Sequence, residues 1–197
     1  MKEIKRRALG MPLAVFAVIA LSSLTAHADP VVIVQPSNTV VGVNQTFTLS
    51  VSITNVSNLF AYQFALRFDP TVLSANSISE GSFLSGGGGT FFIPGNINNA
   101  AGTITLTANT LLGPVSGVNG SGVLATFNFS SLIPGSSPIT ISDVTLLDSN
   151  LSPIATDVQG GTVVVNTVPE PATVLLLGAG LLGVAASLHK RCKKGGG

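Results

Sequence analysis

Residues 46–55, TFTLSVSITN, alternate without a break: Phe47, Leu49, Val51 and Ile53 fall on one side, threonines and serines on the other. Period two with one apolar face predicts an antiparallel strand covered on one side only. Residues 60–68, FAYQFALRF, repeat the pattern. Phe60, Tyr62, Phe64, Leu66 and Phe68 are expected to face inward, and Ala61, Gln63, Ala65 and Arg67 outward. Asp69-Pro70 closes this strand as a turn. Further strands are expected at Val31–Gln35 and Thr90–Ile93, and at residues 103–108, 123–129, 138–147 and 162–165. Glycine- and proline-rich breaks fall at 86–89, 95–102, 113–122, 134–137 and 160–161. No stretch between residues 29 and 167 reads as a convincing helix, and none repeats. Many short strands without helices are most economically housed in two packed sheets, and the nine phenylalanines of this segment are expected to supply the bulk of the core.

The alternation stops at both ends. The chain opens with Lys2, Lys5, Arg6 and Arg7, followed by the apolar run LAVFAVIAL at residues 13–21 and then by Ala26-His27-Ala28. A basic start, a short apolar run and small residues at the two recognition positions, Ala26 and Ala28, make residues 1–28 a secretory signal peptide with cleavage after Ala28. At the other end, residues 172–188 are uncharged and rich in Leu, Ala, Val and Gly. Seventeen residues of helix measure about 26 Å, close to the ~30 Å hydrocarbon core of a bilayer. Lys190, Arg191, Lys193 and Lys194 follow, and are expected to stay on the cytoplasmic side and leave residues 29–167 outside. Just before the run stands Val168-Pro169-Glu170-Pro171, where two prolines forbid regular helix or strand.

Charge and composition narrow the chemistry. Arg67 is the only basic residue between 29 and 167, against Asp29, Asp69, Glu80, Asp143, Asp148 and Asp157. A surface for nucleic acid needs clustered cations and is not expected here. The same segment lacks His, Cys, Lys and Trp. Nucleophilic catalysis therefore has no base to work with, and no spacing marks two of the acids as a hydrolytic pair. Asp148-Ser149-Asn150, with Asp143 and Asp157, could in principle offer oxygen ligands, but no calcium-loop motif is present. The expectation is a non-catalytic domain without metal or cofactor.

Two resemblances extend this reading. The tail, with Val168, Pro169, Glu170 and Pro171, the apolar run and the four closing cations in order, resembles the PEP-CTERM sorting signal of exopolysaccharide-producing Gram-negative bacteria. That resemblance implies recognition by a membrane protease called exosortase, with an inner-membrane anchor before processing and the cell surface or extracellular matrix afterwards. Within the domain, LRFDPTVL at residues 66–73, ISEGSFL at 78–84, GSGVLATFNF at 120–129 and GGTVVV at 160–165 stand in the order found in cohesin domains. This implies an all-β, jelly-roll β-sandwich that displays a protein-interaction module. In cellulosomal cohesins an Asn and an Asp on the outward side of the strand before the Asp–Pro turn bind the dockerin partner. Those positions here are Ala61 and Gln63, which with Arg67 form the possible partner face, so the fold carries over better than the dockerin specificity. The alternative is a carbohydrate-binding module of the exopolysaccharide layer. Against it, sugar platforms favour exposed Trp or Tyr, and the one tyrosine, Tyr62, has the inward phase.

Overall fold

The computed structural model describes residues 29–167. The elements in order are β1 (Val31–Gln35), β2 (Asn38–Gly42), β3 (Thr46–Arg67), β4 (Leu73–Glu80), α1 (Ser82–Ser85), β5 (Thr90–Ile93), β6 (Asn96–Asn98), β7 (Thr103–Leu111), β8 (Val118–Ser131), β9 (Gly135–Asp148), β10 (Asp157–Gln159) and β11 (Gly161–Asn166).

The 22-residue β3 organises the molecule. A straight strand of that length would measure about 70 Å, yet both of its ends reach one short segment. Next to its start, the Asn44 amide donates to the Ser131 carbonyl (3.1 Å). Just past its end, the Asp69 amide donates to Ser137 Oγ (2.9 Å). The strand therefore folds back on itself, and it does so at Asn55 and Asn58, whose φ angles are 55° and 59°. Asparagine tolerates this left-handed conformation better than other residues with a Cβ.

The two arms serve different sheets. The first arm, 46–54, pairs with β1 and β8. With β10 beyond β1 and β4 beyond β8, it makes a back sheet in the order β10-β1-β3-β8-β4. The second arm, 59–67, pairs with β7 and β9. It makes a front sheet, β2-β11-β9-β3-β7, with β5 and β6 both lying along β7. The architecture is the all-β sandwich expected from the sequence. The two strands expected at 46–55 and 60–68 are the two arms.

Between the sheets lies a single core. Val51, Ile53, Phe64, Leu66, Phe127, Phe129, Ile104, Leu124, Leu146 and Val163 are all essentially inaccessible. Its aromatic spine runs from Tyr62 to Phe64 (5.8 Å between ring centroids) and on to Phe127 (6.1 Å), while Phe129 meets Phe68 edge-on at 5.3 Å. Offset and edge-to-face pairs of this kind add to what burial alone contributes.

Some expectations need correction. Ala65, expected outward, is 8 % exposed, because β9 shifts register between Gln63 and Ala65 and β7 between Phe64 and Leu66, closing over the small side chain. Phe91, expected in the core, is 60 % exposed. β2, β4, β6 and β10 were not expected, and parts of the breaks at 95–102, 113–122, 134–137 and 160–161 belong to strands. Residues 82–85 form one helical turn where none was expected. It follows Gly81, which lies so close to β8 that a Cβ there would come within 2.2 Å of the Val123 carbonyl oxygen.

Candidate functional site

The front sheet presents a patterned outer face. Across one row of the register stand Leu147 on β9, Ala61 on β3, Thr110 on β7 and Phe91 on β5. The next row is Thr145, Gln63, Ala108 and Ile93. Alternation along each strand brings these eight side chains to the same surface. Ala61 and Ala108 are short, whereas Phe91 and Ile93 rise beside them. The result is an open hollow of about 200 Å³ over the middle of the sheet, with no charged residue in its lining.

Tyr62 and Asn109 lie beneath, and their side chains belong to the inner layer, 3 % exposed in each case. The Tyr62 hydroxyl donates to the Leu124 carbonyl. Asn109 Nδ2 donates to Glu80 Oε1 (2.8 Å), which also accepts from Thr90 Oγ1 (2.6 Å). Burial pushes the Tyr62 hydroxyl well above the ordinary tyrosine range; a hydrogen bond from Asn109 opposes this, and the Glu80 charge adds to it. Desolvation of the phenolate accounts for that direction. Tyr62 is thus a structural residue under the hollow, and its ring is not offered to a ligand.

Of the residues singled out in the sequence, Ala61 and Gln63 do come together at the hollow. Arg67 does not. It shares the outer side of β3 but pairs with Thr103 and Thr140, four residues and about 13 Å farther along. The apolar wall of Phe91 and Ile93 was missed. Its signal was the adjacency of Phe91 and Phe92: neighbours on a strand face opposite ways, so one of the two had to leave the core.

The acids weighed as metal ligands are dispersed or already engaged. Asp148 Oδ1 accepts from the amides of Asn150 and Ser152, both at 2.8 Å, and shapes the turn after β9. Asp157 sits in β10 against Val31. Among the described residues, no three His, Cys, Asp or Glu side chains gather as a metal site would require. Asp69 Oδ1 accepts from the hydroxyl and the amide of Thr71 (2.7 and 2.8 Å). The hydroxyl bond first and the amide bond second hold its carboxyl below the usual range, which is the turn role read from Asp69-Pro70. Ala26, Ala28, Val168, Pro169, Glu170, Pro171, the run 172–188 and Lys190, Arg191, Lys193 and Lys194 lie outside the described residues.

Comparison with known proteins agrees with this geometry. A family model for the cohesin domain matches residues 31–165, and a model for the PEP-CTERM protein-sorting motif matches residues 167–191. No curated protein matches the chain. Among solved structures, the fold resembles a non-cellulosomal cohesin from the hyperthermophilic archaeon Archaeoglobus fulgidus. The TM-score is 0.55 at 14 % identity, over 74 % of this chain and 96 % of that one. It also resembles the OlpC cohesin of a type I cohesin–dockerin complex from Clostridium thermocellum (TM-score 0.59, 15 % identity, 71 % and 95 % covered). A third is the sixth cohesin of scaffoldin B from Acetivibrio cellulolyticus, in complex with a Cel5 dockerin mutant (TM-score 0.56, 20 % identity, 71 % and 100 % covered). At these identities the likeness is one of fold.

Proposed function

Since the chain belongs to the cohesin-domain family and carries a PEP-CTERM protein-sorting motif, we propose that it is an exported, non-catalytic surface protein whose front face binds a protein partner. The observation that carries this reading is the hollow at Ala61 and Gln63, flanked by the exposed Phe91 and Ile93. Apolar side chains that converge on an outer sheet surface mark an interaction site more than a monomer's ordinary exterior. Two of the solved cohesins with this fold are described as bound to dockerins. The resemblance puts an Asn and an Asp where this chain has Ala61 and Gln63, so a partner here meets an amide and aliphatic groups instead of a carboxylate. An uncharged hollow with an aromatic wall suits a partner that inserts apolar side chains, with Phe91 as the anchor.

In the same proposal, residues 1–28 are removed on export, 29–167 are the displayed domain, and 168–194 are the sorting segment. An exosortase-type protease processes the chain at the membrane near Val168, Pro169, Glu170 and Pro171. The freed domain then joins the cell surface or matrix.

Photo-crosslinking on intact cells tests the binding face. A reactive residue at Gln63 should capture a discrete partner, whereas one at the exposed Thr48 of the back sheet should not. Phe91→Ser should weaken capture about ten-fold, the loss of one central anchor. Equal capture from both faces, or capture indifferent to Phe91→Ser, refutes this assignment.

One observation favours the glycan reading instead. The outer side of the back sheet is a grid of hydroxyls and amides in the register Thr46–Ser130–Ser74, Thr48–Asn128–Ser77 and Ser50–Thr126–Ser79. Such a grid donates and accepts hydrogen bonds without charge, as a neutral polysaccharide does. Glycan arrays with the Thr48→Arg variant decide this reading: binding that survives the substitution removes it.

A further inference from the structure

The described chain leaves the sandwich at a defined end. The Val43 amide donates to the Asn166 carbonyl (3.2 Å), the Asn44 amide to Ser131 (3.1 Å), and the Leu132 amide to Val72 (2.8 Å). Asn166 and the three-residue connection from β8 to β9 therefore share one end. The fold-back at Asn55 and Asn58 lies at the other, together with Leu151, since Asn58 Nδ2 donates to Ser149 Oγ (2.9 Å).

The connection at the exit end is Leu132-Ile133-Pro134. It carries no charge, and Leu132 and Ile133 are 39 % and 52 % exposed. Its charged neighbour Asp69 turns its carboxylate back onto Thr71. Only five residues, from Thr167 to Pro171, separate Asn166 from the apolar run that begins at Ala172. Even fully extended, that stretch reaches about 20 Å. The headgroup layer on one side of a bilayer takes up roughly 5–8 Å of this distance. So long as the run spans the membrane, the exit end is confined close to the lipid surface, and so short a tether makes even a weak contact intramolecular.

We propose that the Leu132–Ile133 tip seats in the headgroup–acyl boundary of the membrane in which the tail is anchored, and so holds Val168–Pro171 at a fixed depth for processing. The inference rests on the anchored-tail reading above. Once the tail is cut the tether is gone, and two aliphatic side chains alone do not retain the domain on lipid. The same tip thus positions the uncut chain and releases the cut one.

The chain has no tryptophan, so single tryptophans report each position cleanly. Full-length Ile133→Trp, Leu132→Trp, Leu151→Trp and Val174→Trp would be inserted separately into nanodiscs of phosphatidylethanolamine and phosphatidylglycerol with brominated acyl chains. Val174→Trp reports whether the tail is in the bilayer. The expected result is blue-shifted, bromine-quenched emission from Ile133→Trp and Leu132→Trp, and water-exposed, unquenched emission from Leu151→Trp. If Val174→Trp is quenched while neither tip variant is quenched more than Leu151→Trp, the tip does not touch lipid and the inference is overturned. An unquenched Val174→Trp instead removes the anchored tail, and the inference with it.

Discussion

Replacing Asn58 should separate what its backbone conformation costs from what its hydrogen bonds contribute. Its φ is 59°. Its Oδ1 accepts from the Gly117 amide (2.9 Å), its Nδ2 donates to Ser149 Oγ (2.9 Å), and its own amide donates to Asn119 Oδ1 (2.8 Å). Asn58→Ala strands the buried Gly117 amide, at about 1–3 kcal/mol. It also puts an ordinary side chain in the left-handed region, at about 1 kcal/mol more. With the Ser149 bond also lost, at about 0.5–1.5 kcal/mol, the sum is about 2.5–5.5 kcal/mol. Asn58→Gly removes the strain but leaves the amide stranded and the Ser149 bond unmade, and should lose about 1.5–4.5 kcal/mol. Asn58→Asp keeps both the acceptor and the tolerance for this φ, and should lose about 0.5–1.5 kcal/mol with the Ser149 bond. For a domain of about 140 residues each kcal/mol lowers the Tm by roughly 3–4 °C, so the alanine variant should melt about 8–22 °C early. Urea and thermal unfolding of residues 29–167, followed by circular dichroism, measure the series. An alanine variant as stable as wild type, or a glycine variant less stable than alanine, would show that the fold-back does not depend on Asn58 in this way.

Two further predictions concern the buried phenol and the tail. Tyr62 is the only tyrosine, and burial raises its pKa. The folded state therefore keeps its proton where the unfolded chain, with a value near 10, releases it. This contribution is fully present below about pH 10 and is lost as pH rises from there through the folded value. Ultraviolet titration should show phenolate only as the domain unfolds, and smooth ionisation of folded protein near pH 10 would contradict the burial. In the tail, replacing Pro169, Glu170 and Pro171 by alanine should leave export and membrane insertion intact but trap full-length protein in the membrane fraction. Wild-type processing of that variant would reduce the tail to an ordinary anchor.

The sequence revealed most where one strand carries its own pattern. Both arms of β3 were legible because four alternate positions agree in each: Phe47, Leu49, Val51 and Ile53 in the first, and Phe60, Tyr62, Phe64 and Leu66 in the second. β4 was not. The register shift between Ala75 and Ser77 breaks its period, and its outward serines look like loop residues. β6 and β10 are three-residue edges, too short to show a period of two, and only their pairing with β7 and β1 defines them. The site was half legible for the same reason. Ala61 and Gln63 follow from the phase of one strand, whereas the hollow exists only because β5 and β7 bring Phe91, Ile93 and Ala108 alongside. Ala65 shows the converse failure, an outward phase overruled by bulges in two neighbouring strands.

The place of β11 in the front sheet has a consequence for how the protein is made. β11 lies between β9 and β2, and its Val163 and Val165 are core residues. A chain delivered across a membrane with its N-terminus leading cannot close this core until residue 165 has crossed. The sorting motif begins at residue 167, so the fold completes just as the address arrives. Pairings this distant in sequence also form slowly. A message cut short before β11 would yield a chain that neither packs nor carries an address, and its open sheet would be left to the proteases outside. The last strand thereby makes the closed core depend on a chain completed through residue 165.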